Sequence, residues 1–470
     1  MSLKLFLLSS FGGIKPTSKI EAERDSLLKD YQVVTGVEKS EELKELLALE
    51  EKVNSESFKK MKAELKALKF KGSEEEKQLK QFQKLERNKK LRKFYDTLGS
   101  EALKRYEELR DGNKLDRYFE LEKMIEKGVN GDEEKSKALK SEFKKLKESA
   151  DVAFLHKYPK SSAYKNYVHI LKSDEKRKYE ELKEILNSNE FKERKAYLEA
   201  PDKWEKTEEY KEEQRYQELK SQPEMATYFK YKDSSDFDFF KNYDLVFEDT
   251  FSASDLDTSK WKTISSWAEK TVGKNFSQEG DLHAYDDGKN IHLKSGRLQI
   301  QVKRDKVASL VWKPVFGFVE QEFDYSTDII TSNGLFDVKY GILEAKIKYQ
   351  PDKNFQDVFY LGSEDNSVRL NLLESGTHSQ IGVSTTNDGQ VKNDALSLSG
   401  LSAGKDYVFR LEWEQGKLVW KVNNKELFAV QSGIPSEALH LTLTSMVLHD
   451  SSSLPHNFDV DWIRIYQKKK

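Results

Sequence analysis

The chain has 470 residues, with 80 Lys+Arg against 82 Asp+Glu, a net charge of −2 and no cysteine. The missing cysteine excludes disulfide scaffolds, zinc-thiolate sites, iron–sulfur clusters and cysteine nucleophiles, and the charge balance gives no general pull toward nucleic acid or an anionic membrane. Charged residues reach 34% and hydrophobics only 37%, so apolar runs are short and no membrane span is expected.

The N-terminus reads Met1-Ser2-Leu3-Lys4, then Leu5-Phe6-Leu7-Leu8, Ser9, Ser10 and Phe11. One positive charge, a very short apolar stretch and no small-x-small cleavage site favour a buried strand or docking arm over a signal peptide. Residues 1–35 are therefore expected to form an N-terminal arm. A cytoplasmic or particle-associated location is expected ahead of a secreted one.

Residues 36–235 are dense in Glu, Lys, Leu and Tyr with almost no β-branched runs, which predicts helix. Breakers recur at Gly72, Gly99, Gly112, Gly128, Gly131, Pro159, Pro201 and Pro223. Ser73 with Glu76 fits a capping box, and Ser100, Ser173 and Thr207 stand at N-cap positions, so the helices are short. An aromatic followed three residues later by Leu or Met recurs at Phe58, Phe82, Tyr106, Phe143, Tyr179 and Tyr216, a spacing of 24, 24, 37, 36 and 37 residues. Each has an apolar partner twelve residues on: Phe70, Phe94, Tyr118, Leu155, Phe191 and Tyr228. Twelve residues of unbroken helix turn by about 120°, so one helix cannot keep both on one face. Short helices joined by tight turns can, which predicts an all-α helical-repeat array in which each aromatic plugs the seam to its neighbour. The Glu/Lys runs are solvated faces.

From residue 243 the pattern changes. Leu298, Ile300 and Val302 alternate with Gln299, Gln301 and Lys303; Leu343, Ala345 and Ile347 alternate with Glu344, Lys346 and Lys348; Phe409, Leu411 and Trp413 alternate with Arg410, Glu412 and Glu414. These are half-buried antiparallel strands, with turns at Gln415-Gly416 and Asn423-Asn424. Residues 243–470 are thus predicted to be an all-β sandwich. The aromatics of segment 229–243 are expected to pin it to the last helices.

This C-terminal half resembles glycoside hydrolase family 16, the laminarinase, agarase and carrageenase family with a concanavalin-like jelly roll. The resemblance rests on Leu245–Phe251 with Leu256–Trp261, on Tyr285–Arg304 with Asn290 and Ser295–Leu298, on Thr331–Gly334 with Lys339–Lys348, and on Phe458–Tyr466. It implies a polysaccharide ligand and a catalytic strand reading Glu-x-Asp-x-(x)-Glu. Retaining hydrolysis needs two carboxyl groups about 5–5.5 Å apart, one as nucleophile and one as acid/base. With a bulge, positions i, i+2 and i+5 share one face. The matching stretch here is Arg369-Leu-Asn-Leu-Leu-Glu374. Glu374 stands at the acid/base position, Arg369 at the nucleophile and Asn371 at the central acid. An Arg is never deprotonated at useful pH and cannot attack carbon, and its charge opposes an oxocarbenium-like transition state. Arg369 and Glu374 are expected to pair across the bulge. Asp357, Glu364 and Asp365 lie nearby without paired spacing.

The resemblance also implies a structural calcium held by Glu248, Gly296 and Asp461, with an Arg or turn cap by Asp461 as the equal alternative. No cofactor is required. No phosphate-binding loop, His-Glu-x-x-His or Gly-x-Ser-x-Gly motif occurs. Phe359, Tyr360, Trp267 and Trp312 are the candidates for stacking on sugar. The insertion Asp305–Asp328, with Leu310, Val311, Trp312, Val315, Phe316 and Phe318, is expected to fold over the old cleft. The reading that follows is a non-catalytic, glycan-binding or structural sandwich on a helical-repeat stalk. Two alternatives stand beside it: a protein-interaction scaffold whose helical array binds a protein partner, and an active endo-glycanase with a displaced nucleophile. An open, aromatic-lined groove favours glycan, and a cleft filled by the insertion favours the scaffold.

Overall fold

The computed structural model describes residues 13–128, 133–387 and 390–469; the Leu5–Phe11 segment and Gly131 lie outside them. Contacts divide the chain into two units, residues 41–222, and residues 1–40 together with 223–470.

The unit 41–222 is a run of short helices from Glu41–Asn54 to Glu208–Ser221. One hydroxyl makes each of several joints. Ser100 Oγ donates to the Thr97 carbonyl (2.7 Å) and accepts from the Leu103 amide (3.2 Å). Ser55, Ser149, Ser173, Ser188 and Thr207 do the same, closing one helix on its last carbonyls and capping the next. The helices run out and return in two antiparallel rows: Glu41–Asn54 packs on Glu208–Ser221, Glu74–Glu86 on Asp174–Asn187, Lys89–Leu98 on Ser162–Leu171, and Asp116–Glu126 on Glu133–Lys147.

Most of the repeating aromatics fill the seam between rows, and at the turn of the array Tyr118 and Phe143 fill the seam between consecutive helices. Phe82 stacks on Tyr179 (5.0 Å), Phe94 on Tyr167 (5.2 Å) and Tyr118 on Phe143 (5.2 Å), while Phe58 meets Trp204 edge-on (5.5 Å). The rings that cross between rows meet partners far away in sequence, which the local spacing does not encode.

The other unit is a two-sheet sandwich with a helical cover. The larger sheet has eleven strands along the order Lys425–Val430, Lys417–Val422, Lys405–Glu414, Gly341–Tyr349, His456–Lys468, Leu298–Lys313, Gly317–Thr327 and His283–Tyr285, with three short strands beside this path. The smaller has seven, along Gln390–Ser397, Gln380–Asn387, Val368–Ser375, Phe355–Gly362, Leu439–Val447 and Ile329–Thr331, with Asp337–Val338 beside the path. Leu343, Ala345, Ile347, Phe409 and Leu411 from the first meet Phe359, Leu361, Leu370, Leu441 and Leu443 from the second in one core, as the alternation predicts.

Of the expected arm of residues 1–35, the described part is largely the helix Thr17–Glu38, which belongs with the sandwich. It covers the outward side of the strand Gly341–Tyr349, the side that alternation assigned to solvent. Glu344 is 1% exposed there and is paired with Arg24 of the helix and with Arg410. Lys346 meets Glu21 (3.0 Å), and the Trp462 indole donates to Glu21 (3.2 Å). The helix Pro223–Tyr231 and the turn Ser235–Phe237 join the same group through Val34, Tyr231 and Phe237. Phe239 packs edge-on against Tyr466 (5.0 Å). The contact division thus falls at 40/41 and 222/223 rather than at 35/36 and 235: the first helix meets the sandwich through Glu21 and Arg24 and packs its apolar residues on the last helical segments.

Candidate functional site

The strand Val368–Ser375 is bulged. Tyr360 opposes Asn371 while Phe359 opposes Leu373, so Leu372 is the extra residue. Leu370, Leu372 and Leu373 all enter the core at 0% exposure, and Arg369, Asn371 and Glu374 turn to the other face, as the spacing predicts. Gly382 opposes Asn371 with φ +152°, and a Cβ there would come within 2.3 Å of the Asp394 carbonyl oxygen. Only glycine fits the bulge at that point.

Glu374 is held by amides. It accepts from Gln380 Nε2 (3.0 Å), from Asn371 Nδ2 (3.5 Å) and from Gln356 Nε2. The ion pair expected between Arg369 and Glu374 is not formed. The Arg369 guanidinium instead lies over the Tyr360 ring, 4.8 Å from its centroid. Gly362, opposite Arg369 in the ladder, makes room for that ring: a Cβ at Gly362 would come within 2.7 Å of Tyr360.

No second carboxylate joins Glu374 among the described residues. Asp357 turns inward, where it accepts from Ser445 Oγ (2.7 Å) and binds His456 Nε2 through both oxygens (2.9 and 3.1 Å). Glu364 is paired with Lys270. Asp365 closes its own loop, held down at about 2 by the hydroxyls of Ser363 and Ser367 and by the Ser367 amide.

A cleft of about 160 Å³ opens on this face beside Arg369. Tyr360 and Trp267 line it, with Tyr285, Thr442, Thr444 and Ser266. Burial pushes the Tyr285 hydroxyl up to about 12, so it stays a neutral donor. Phe359, adjacent to Tyr360, is 0% exposed in the core and cannot stack on a ligand. Trp312 stands outside the cleft on the hairpin of Leu298–Lys313 and Gly317–Thr327. It touches Phe318 (5.2 Å), which touches Phe276 (4.9 Å), which touches Trp267 (4.6 Å). No residue of the insertion 305–328 lines the cleft. The insertion extends the two strands into a long hairpin instead, because its apolar residues pair with each other and with Phe276.

The calcium expectation gives way to ion pairs. Asp461 is shared by Arg297 and Lys346 (2.9 Å to the latter), and Glu248 is paired with Arg464 (2.7 Å). A cation there would have to displace these side chains, so the residues do not fit the ion. Among the described residues no group of three or more His, Asp or Glu gathers as metal ligands. No described helix is long and apolar enough to cross a membrane.

A larger cavity of about 750 Å³ lies in the same unit beside the helix Asp238–Asn242. Both signs of charge line it and compensate each other: Lys468 meets Glu414 (3.2 Å), and Arg410 meets Glu412 (2.8 Å). The smaller cleft is lined by Arg369 of the strand Val368–Ser375 and is the candidate site.

Sequence reasoning missed Gln356, Gln380, Tyr285, Thr442 and Thr444. Their neighbours in space come from other strands, and only Gln380 carried a signal, standing a short turn after Glu374.

The fold is a jelly-roll sandwich whose strand Val368–Ser375 carries Arg369, Asn371 and Glu374 on one face. Its C-terminal half is similar to the laminarinase catalytic domain of Thermotoga maritima MSB8 (18% identity, 49% of this chain and 100% of that chain, TM-score 0.40). It is likewise similar to an endo-1,3-beta-glucanase of Thermotoga petrophila RKU-1 (19%, 48% and 99%, TM-score 0.39) and to one of Pyrococcus furiosus (18%, 48% and 95%, TM-score 0.39). No family model matches the chain, and no curated protein matches it in sequence.

Proposed function

We propose that the sandwich is a glycan-binding module on a glycanase-type scaffold that has lost hydrolysis. The observation that carries the reading is the catalytic strand: Arg369 and Asn371 share one face with Glu374, whose carboxylate is ringed by Gln356, Gln380 and Asn371. Retention requires a second carboxyl group about 5–5.5 Å from the first, and amides supply none. The cleft itself supports the binding half of the reading, since it is lined by Tyr360, Trp267 and several hydroxyls and by no residue of the insertion. Affinity electrophoresis of the full chain through gels containing glucan or galactan polymers tests it. Retardation without loss of polymer viscosity is expected. Migration unchanged in every polymer contradicts the reading.

A further inference from the structure

The cleft carries an unbalanced positive charge. In the unit formed by residues 1–40 and 223–470, Arg24, Arg297, Arg304, Arg410 and Arg464 are each paired with a carboxylate. Arg369 has no such partner among the described residues, although it is exposed at the edge of a cleft. It is also the one charged residue among those lining that cleft. Its guanidinium lies over the Tyr360 ring, a contact that restrains the group without using its N–H donors.

The remaining wall suits the same ligand. Tyr285 and Ser266 offer hydroxyls and Asn366 an amide, while the Thr444 hydroxyl donates to the Asp328 carbonyl and that of Thr442 is bonded to Thr331. Nearby acids are spent elsewhere: Glu364 on Lys270, Asp365 on its own loop and Asp357 on His456. Glu374 on the same strand is engaged by the amides of Gln356, Gln380 and Asn371 and forms no ion pair with Arg369.

We propose that this cleft receives the anionic group of a charged glycan, a uronate carboxylate or a sulfate ester, on the forked donors of Arg369, with Tyr360 beneath. This rests on the glycan-binding reading and names its ligand class. A planar guanidinium matches either oxyanion through paired N–H donors. A site selected for a neutral glucan has no use for an unpaired cation at the position where positive charge on the sugar would otherwise develop.

Calorimetric titration of the full chain with three polymers tests the inference: polygalacturonate, a sulfated galactan and neutral laminarin. Arg369→Met and Arg369→Lys are compared with the wild type, and circular dichroism verifies that each variant is folded. Binding to at least one anionic polymer is expected, weakened as salt rises from about 0.05 M to about 0.5 M. Arg369→Met is expected to lose about tenfold or more, and Arg369→Lys to retain part of the affinity. The two charged polymers separate carboxylate from sulfate recognition. Equal binding of laminarin, unaffected by Arg369→Met, overturns the anionic site and leaves the glycan-binding reading standing. Binding to none of the three overturns both.

Discussion

His456 and Asp357 form a buried pair whose charge state depends on pH. Burial alone would lower the His456 pKa, but the Asp357 carboxylate, its hydrogen bonds, and the charges of Asp352 and Asp459 hold it above the ordinary 6.5. A folded-state pKa raised in this way contributes stability that is complete below the unfolded value and is lost as pH rises through the folded one. The gap in melting temperature between wild type and His456→Asn should therefore be widest near pH ~5.5 and narrow by pH ~8.5. A gap that widens toward alkaline pH would show that the imidazole is neutral in the pair. Residue-level reading of the sequence reached the shared face of Arg369, Asn371 and Glu374, because a bulge rule is local. It overreached at Phe359 and Tyr360. Neighbours on a regular strand face opposite sides, so only one of the two was free to line the cleft, and Tyr360 does.

At the scale of elements, the hydroxyl joints set the stability of the unit 41–222. Some of its helices bury nothing fully: Glu74–Glu86 and Glu133–Lys147 have no buried residue. At every joint the hydroxyl supplies partners that the helix ends otherwise lack. Ser100→Ala removes both the cap on the Leu103 amide and the bond to the Thr97 carbonyl, and should cost about 1–2 kcal/mol of that unit's stability in urea titration. Ser100→Asp keeps the acceptor and should recover part of the loss. No difference between Ala and wild type would contradict the joint. The sequence showed N-caps at Ser73, Ser100, Ser173 and Thr207, and the last three are such joints. It could not show which helices face each other, since Phe82 meets Tyr179 and Phe94 meets Tyr167 only after the rows fold back. The same limit applies to Glu344. Alternation identifies residues that share a face of a strand, but whether that face meets water or Arg24 of a helix is decided by tertiary packing.

At the scale of the whole molecule, one chain segment separates two parts of a single folding unit. The helix Thr17–Glu38 packs on Pro223–Tyr231 within the sandwich unit. Joining residue 40 to residue 223 through about four Gly/Ser residues should give a protein with one cooperative melt and a β-rich spectrum. Residues 243–470 alone should melt lower, because Glu344 would lose Arg24 and Trp462 would lose its cover. Equal melting of the two forms would contradict the structural role of the N-terminal helix. The central claim is that this unit keeps a glycanase scaffold without its chemistry. It is tested most directly by reducing-end release from β-glucan, agar and carrageenan polymers, with wild type and Glu374→Gln side by side. The account predicts no release by either protein. Turnover by the wild type that Glu374→Gln abolishes would show that a carboxylate from another strand serves as nucleophile, and would contradict it.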